Sequence, residues 1–327
     1  MSQERDGKIL ITGANGFVGG ALLQALLERG SGELVAAVRR ADAHLPDDPR
    51  VNRLVFSLAP DFSWAQGLAG VSTVIHAAAR VHMMDDQSAD PLSEFRKVNV
   101  AGTLTLAREA AEAGVKRFIF ISSIKVNGEG TPPSSAYTAN DTPMPADPYG
   151  ISKHEAEQGL LELAATTGMD VVIIRPPLVY GPGVRANFLS MMRWLDKGVP
   201  LPLGAIHNRR SLVALGNLVD LVVTCIEHPA AANQVFLVSD GEDLSTSDLL
   251  RRMAQALGRP ARLLPVPESL LRAGAGLLGK QAFSQRLFGS LQVDISKTRS
   301  LLGWEPPLAV NDALKLAARH FQEHQDK

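Results

Sequence analysis

The sequence predicts an α/β chain whose larger part is a doubly wound, mainly parallel sheet, followed by a smaller, mostly helical C-terminal part. Three observations carry this. Short, solid apolar runs alternate with helical patterns, as buried parallel strands and their crossover helices do. A glycine-rich turn stands directly between the first strand and the first helix. After Pro177, proline and glycine become frequent and the alternation loosens.

Residues 8–12 read as the first strand, followed by the glycine turn and a helix over 18–29. A second strand covers 34–38, and 71–79 reads as another, with Val74, Ile75 and then small residues. Residues 99–113 are helical and stop at Gly114; 117–122 form a strand rich in Phe and Ile. A helix over 149–167 is closed by Gly168, and the strand 171–175 is stopped by Pro176 and Pro177. Beyond them come a helix at 216–227, a strand at 234–238, and helices at 246–257, 268–278 and 310–324. There is no internal repeat and no low-complexity linker.

A length of 327 residues is a prior for about two domains. Lys plus Arg number 33 and Asp plus Glu 34, so the net charge of −1 argues against a nucleic-acid partner. With 45% hydrophobic and 20% charged residues, the chain is an ordinary globular one. The single cysteine, Cys225, excludes an internal disulfide and a cysteine-based zinc site. It lies in an apolar helical stretch and reads as a buried structural thiol. His82, Asp85 and Asp86 form a polar cluster without metal-ligand spacing, so no metal is expected. The first residues are polar and lack the apolar core of a signal peptide, and no run reaches about 18 apolar residues. A cytoplasmic protein that does not insert into a membrane is the default expectation.

The turn Thr12-Gly13-Ala14-Asn15-Gly16-Phe17-Val18-Gly19 spaces its glycines as G-x-x-G-x-x-G. Gly13 permits a tight turn, Gly16 lets a pyrophosphate approach the helix N-terminus, and Gly19 allows close helix–strand packing. On the first strand of an alternating chain this predicts a Rossmann-type, dinucleotide-binding sheet. The second strand ends in Val38-Arg39-Arg40, where an NAD site usually has an acid for the ribose hydroxyls. Arg39 in that place is suited to a 2′-phosphate, so NADP(H) is favoured over NAD(H), with dual use open.

Tyr149-Gly150-Ile151-Ser152-Lys153 places a tyrosine and a lysine four apart on one helix face. A free phenol titrates near pH ~10, too high for a base at neutral pH. A neighbouring ammonium and a cationic nicotinamide are expected to lower it, so that Tyr149 exchanges the proton of a hydroxyl while hydride moves at its carbon.

With these residues in view, the chain resembles the extended short-chain dehydrogenase/reductases, in the group of nucleotide-sugar epimerases, dehydratases and ketoreductases. The likeness runs almost end to end. It rests on the glycine turn, Ile75-His76-Ala77-Ala78-Ala79, Asn99-Val100-Ala101-Gly102-Thr103, Ser122-Ser123-Ile124-Lys125-Val126-Asn127-Gly128, and Tyr149 with Lys153. Arg175-Pro176-Pro177-Leu178-Val179-Tyr180-Gly181-Pro182 and, near the C-terminus, Asp294-Ile295-Ser296-Lys297 with Leu302-Gly303-Trp304 complete it.

The resemblance implies roles. Ser123, Tyr149 and Lys153 are the catalytic set: Ser123 binds the reacting oxygen, Tyr149 is the acid/base, and Lys153 holds the nicotinamide ribose and tunes the tyrosine. The cofactor is NADP(H) or NAD(H). It is held by Gly13, Asn15, Gly16, Phe17, Val18, Gly19, Arg39, Ala77, Ala78, Ala79 and Pro176, with Tyr149 and Lys153, and Asn99 as the structural asparagine of the fold. Substrate contacts are Ser123, Lys125, Asn187 on the uridine side, Arg210 as a diphosphate clamp, and Arg286. The division expected is 1–178 plus a returning segment at about 212–240 for the dinucleotide, and 179–211 with 241–327 for the nucleotide sugar.

Departures narrow the chemistry. Ile124 and Lys125 stand where dehydratases carry an Asp-Glu pair, which argues against dehydration. Leu178, Asn217 and Asn127 replace the usual Asn, Asp and Tyr. The Ser-Ile-Lys-Val-Asn-Gly stretch is similar to a bacterial subgroup acting on UDP-N-acetylhexosamines. The leading expectation is a 4-ketoreductase making UDP-N-acetylquinovosamine from a UDP-4-keto-6-deoxy sugar for surface polysaccharide. The alternative is a UDP-glucose or UDP-N-acetylglucosamine 4-epimerase with bound NAD. A non-catalytic nucleotide sensor is a distant third, because Ser123, Tyr149 and Lys153 are all present. A homodimer is implied through the helix after Asn99 and the helix carrying Tyr149. His76 reads as a packing residue, Trp64, Trp194 and Trp304 as core, and 270–291 as a cap over the substrate or an interface.

Overall fold

A computed structural model describes residues 7–81, 90–132, 134–277 and 287–324. The strands are β1 Lys8–Thr12, β2 Leu34–Val38, β3 Val51–Val55, β4 Val71–His76, β5 Arg117–Ile121, β6 Asp170–Arg175, β7 Leu178–Tyr180, β8 Arg210–Ala214, β9 Gln234–Leu237 and β10 Asp243–Leu244. The helices are α1 Phe17–Glu28, α2 Ala65–Leu68, α3 Pro91–Phe95, α4 Thr103–Glu112, α5 Pro148–Thr166, α6 Ala186–Asp196, α7 Leu215–Glu227, α8 Thr246–Ala256, α9 Glu268–Leu277, α10 Ser296–Leu302 and α11 Val310–Glu323.

Seven strands form one sheet in the order β3-β2-β1-β4-β5-β6-β9, and every pairing is parallel. The chain starts at the centre and winds first to one edge, then to the other. Side chains alternate between two cores, as the period of two requires. Ile9 and Ile11 join Leu22, Leu23 and Leu26 of α1 and Leu218, Leu221 and Cys225 of α7 on one face. Leu10, Val74, Phe118 and Phe120 meet Leu106 of α4, Ala156 and Leu160 of α5, and Trp64 on the other. Truncating one such leucine to alanine costs about 2–5 kcal/mol, so both layers are tightly specified.

A third core gathers Phe188 and Met192 of α6, Leu250 and Met253 of α8, and Leu314 and Phe321 of α11. Beside it lies a small sheet ordered β10-β8-β7, with β8 parallel to β7 and antiparallel to β10.

The structure departs from the sequence reading in places. The strand expected over 71–79 ends at His76. The edge strand β3 escapes notice because Asn52 and Arg53 interrupt its apolar character. The helix expected from 99 begins as a π-helical segment, Arg96–Gly102. Gly102 makes that packing possible, since a Cβ there would lie 2.2 Å from the Leu58 carbonyl oxygen. Trp64 and Trp304 are buried as expected, but Trp194 is 41% exposed: it lies on the outer side of α6, away from the core residues Phe188 and Met192. Cys225 is buried, and burial pushes its thiol up to about 12. His82, Asp85 and Asp86 lie outside the described residues. Among the described residues no helix is long and apolar enough to cross a membrane, and no three potential ligands cluster as a metal site.

Candidate active site

β1 delivers Thr12 to the glycine turn. Gly13 is left-handed (φ +67°), and its carbonyl accepts the Gly16 amide at 2.8 Å. A Cβ on Gly19 would stand 2.2 Å from that same carbonyl oxygen, so only glycine lets α1 start this close to β1. Gly16 is the N-cap of α1 and no side chain caps it, which leaves the first amides of the helix to an outside anion. Ala77, Ala78 and Ala79 follow β4; the Ala78 amide donates to Thr12 Oγ1 at 3.1 Å, drawing the β4 exit against the turn. These features form a backbone cradle that fits the pyrophosphate of a dinucleotide. Asn15, Gly16 and Phe17 border a cleft of ≈ 890 Å³ that also reaches Arg39, Arg40 and the Tyr180–Arg185 loop. Arg39 is exposed at the end of β2, and no carboxylate stands in its place in the sequence.

Tyr149 sits in the first turn of α5. Asp147 caps that helix, accepting the Gly150 amide at 2.7 Å, and Pro148 fills the first position, where no amide donor is needed. The Phe95 ring stands edge-on to Tyr149 with centroids 6.0 Å apart. Asn99 fixes the turn from the other side. Its Nδ2 donates to Ser152 Oγ at 3.1 Å, and Ser152 Oγ donates to the Tyr149 carbonyl at 2.8 Å. Asn99 also exchanges bonds with the Arg80 backbone at 2.8 and 3.0 Å, joining the β4 exit to α5.

Lys153, one turn on, is fully buried. Its Nζ donates to the Ile121 carbonyl at 2.7 Å and lies 4.2 Å from the Phe120 ring centroid. Burial pushes this ammonium down to about 7. His76 stacks on the same Phe120 ring at 5.8 Å, and its two ring nitrogens bond Thr12 Oγ1 at 2.8 Å and Thr103 Oγ1 at 2.9 Å. Burial, with Lys153 nearby, holds His76 down to about 3, so it is a neutral packing residue as the sequence suggests. Burial and the Asp147 carboxylate push the Tyr149 phenol upward. These are the protein's own groups; the expected lowering counts on the cationic nicotinamide together with Lys153.

Ser123 caps the 3₁₀ turn Ile124–Val126, its Oγ accepting the Lys125 amide at 3.2 Å. Pro176 supports the same turn through its carbonyl, which accepts the Ile124 amide at 3.0 Å.

Behind these groups lies a network that the sequence reading missed. Arg175 Nε donates to Glu157 Oε1 at 3.0 Å and its terminal nitrogen to Oε2 at 2.5 Å. Ser122 Oγ donates to Glu157, and Arg175 donates to Asn127 Oδ1 at 3.0 Å. The available signal was Glu157 one turn after Lys153, together with an arginine in a strand of otherwise apolar residues.

The candidate substrate residues are spread more widely. Lys125 Nζ is engaged by Asp147 and by Glu129 at 3.2 Å. Arg210 opens β8 and donates to the Gly289 carbonyl at 3.0 Å. That carbonyl belongs to the rim of a second cleft of ≈ 1120 Å³, bordered by the 127–132 loop, Tyr137 and Arg272. Asn187 is exposed on the first turn of α6 and borders neither cleft. Arg286 lies outside the described residues.

The chain matches the profile of the NAD dependent epimerase/dehydratase family over residues 9–239. It is 49% identical to a UDP-glucose 4-epimerase of Vibrio cholerae over 314 residues, covering 96% of this chain and 95% of that protein. Among solved structures it superposes on MoeE5 in complex with UDP-glucose and NAD with a TM-score of 0.77 at 25% identity, covering 98% of this chain and 100% of that one. It also superposes on the UDP-glucuronic acid 4-epimerase of Bacillus cereus in complex with NAD, with a TM-score of 0.77 at 21% identity, covering 97% and 99%. This second likeness concerns the fold.

Proposed function

The chain belongs to the NAD dependent epimerase/dehydratase family, and from that premise we propose that it is a 4-epimerase of a UDP-hexose, UDP-glucose or UDP-N-acetylglucosamine, using bound NAD. The observation that carries this reading is the 49% identity to a UDP-glucose 4-epimerase across 96% of the chain. It favours the epimerase over the 4-ketoreductase that the sequence alone puts first.

In this reading Tyr149 takes the proton of the C4 hydroxyl as C4 is oxidised and gives it back to the C4 oxygen as C4 is reduced, the 4-keto sugar having turned its opposite face in between. Ser123 donates to that oxygen and keeps it within reach of the phenol. NAD, when bound, supplies the two-electron acceptor and donor for C4. Gly13, Asn15, Gly16, Phe17, Val18 and Gly19 hold its pyrophosphate, and Ala77, Ala78, Ala79 and Pro176 line its path. Lys153, buried with its ammonium on the Ile121 carbonyl, would hold the nicotinamide ribose. A cationic partner arriving there favours the phenolate, which is how a phenol raised by burial becomes a working base. Arg210 holds the diphosphate, with Arg286 as a further diphosphate candidate, and Asn187 serves the uridine side. The third core, with α6, α8 and α11, forms the nucleotide-sugar unit, and the sheet of seven strands the dinucleotide unit. Pairing of α4 and α5 with a second copy gives a homodimer, working on a cytoplasmic pool of nucleotide sugar.

One observation supports the rival reading. Arg39, rather than an acid, ends β2, which suits NADP(H) and a reductase that consumes it. The test is direct. Protein loaded with NAD is mixed with UDP-glucose or UDP-N-acetylglucosamine, and the C4 epimer is assayed with a sugar-specific dehydrogenase. Turnover without net loss of NAD supports the epimerase; turnover only of a 4-keto-6-deoxy sugar with stoichiometric NADPH sinks it.

A further inference from the structure

We propose that Lys125 is a positioning residue for Tyr149, acting through Asp147 rather than by touching the sugar. The proposal rests on Tyr149 being the acid/base of the reading above.

Two segments meet at the Asp147 carboxylate. One oxygen accepts the Gly150 amide at 2.7 Å and caps α5; the other is bound by the Lys125 ammonium. The Lys125 backbone belongs to the Ser123 turn, since its amide donates to Ser123 Oγ at 3.2 Å. It is also packed on α5, because a Cβ on Gly150 would lie 2.8 Å from the Lys125 carbonyl oxygen. One lysine therefore ties the turn holding Ser123 to the turn holding Tyr149. It also sets a positive charge against the carboxylate that lies two residues before the phenol. Both side chains are largely shielded, 28% and 25% exposed, so the pair is screened less than a surface pair.

The other charges around Tyr149 are few. Glu129, on the Lys125 side, shares the ammonium at 3.2 Å. On α5 itself stands Lys153. On the α3 side the Phe95 ring intervenes, with the Arg80 guanidinium 5.7 Å above it and Glu94 3.8 Å from Arg80. His76, beside Lys153, is neutral. Asp147 is the carboxylate that acts on the phenol, and it does so in the unhelpful direction. Lys125 offsets it. A dehydratase-like Asp-Glu pair in place of Ile124 and Lys125 would instead add negative charge at this point.

The experiment compares wild type, Lys125→Met, Asp147→Asn and the double variant, all loaded with NAD. Asparagine caps a helix about as well as aspartate, so α5 keeps its start. Two readouts are taken: the pH profile of kcat/KM for epimerisation, and NMR of ¹³Cζ-labelled tyrosine. The chain has three tyrosines, so Tyr149→Phe assigns the signal. In Lys125→Met the apparent pKa of Tyr149 should rise by about one unit. In Asp147→Asn it should fall, and in that background, where the ammonium has lost the carboxylate that anchors it beside α5, the Lys125 substitution should shift it less. Superimposed profiles for all four proteins overturn the proposal. So does an undiminished Lys125 shift in the Asp147→Asn background, or a tenfold rise in KM with an unchanged profile, which returns Lys125 to the substrate. If wild type turns over no nucleotide sugar, the epimerase reading fails, and the tyrosine titration alone still decides the role of Lys125.

Discussion

Arg175 and Glu157 form a buried, two-pronged ion pair between β6 and α5, with Nε 3.0 Å from one carboxylate oxygen and a terminal nitrogen 2.5 Å from the other. Side-chain exposures of 5% and 2% leave neither charge a route to water. Removing one partner strands the other. Arg175→Met is therefore expected to cost about 3–5 kcal/mol in urea unfolding. Arg175→Met with Glu157→Met should regain much of that loss, because an apolar pair needs no solvation. A double variant no more stable than the single one would mean that the pair is not the source of the cost.

His76 links stability to acid. Its folded value is about 3 against 6.5 for a free imidazole, so between those limits the unfolded chain binds more protons. Stability is then complete above pH ~6.5 and falls as the pH drops toward ~3, by ~1.4 kcal/mol for each unit of separation. His76→Gln should flatten the dependence of the urea midpoint between pH 6.5 and 4. A variant as acid-sensitive as wild type would place the titrating group elsewhere.

Lys153 works in a different window. Its folded value is about 7 against 10.5 when free, so the unfolded chain holds the extra proton between those limits. Stability contributed by Lys153 is present above pH ~10.5 and is lost as the pH falls through ~7. The unfolding midpoint of the protein without added cofactor is expected to rise from pH 7 to pH 9.5, and Lys153→Met should remove that rise while abolishing turnover. An equal rise in both proteins would contradict the buried, partly neutral lysine.

Gly19 tests the cofactor cradle. Gly19→Ala puts a methyl group 2.2 Å from the Gly13 carbonyl oxygen, which forces α1 away from β1. NAD affinity should fall at least about tenfold, with the far-ultraviolet circular dichroism little changed. Unaltered NAD binding in this variant would show that the cofactor does not use the turn.

Much of this was legible in the sequence because it is local. The glycine spacing, the Tyr149–Lys153 pair on one helix face and the apolar runs of β1, β5 and β6 are set by neighbouring residues and by burial on both faces of a parallel sheet. What escaped depends on distant partners. β3 is an edge strand whose exposed Asn52 and Arg53 hide its pattern. The π-helical segment at Asn99 exists because Gly102 meets Leu58, far away in the chain. The pairing of Lys125 with Asp147, twenty-two positions on, is likewise invisible in the motif that makes Lys125 a substrate candidate. The upward push on Tyr149 from burial and Asp147, and the burial of Lys153, are likewise set by the fold and do not show in the spacing of the two residues.

In the epimerase reading, Tyr149 drives inversion at C4 of a UDP-hexose with NAD conserved. This is tested most directly by proton NMR of UDP-glucose and UDP-N-acetylglucosamine incubated with wild type and with Tyr149→Phe, each with NAD in catalytic amount. The expected result is an equilibrium mixture of C4 epimers with wild type and at least a ~10²-fold slower approach with Tyr149→Phe. No epimer from either sugar, together with NADPH-dependent reduction of a UDP-4-keto-6-deoxy sugar, would contradict it.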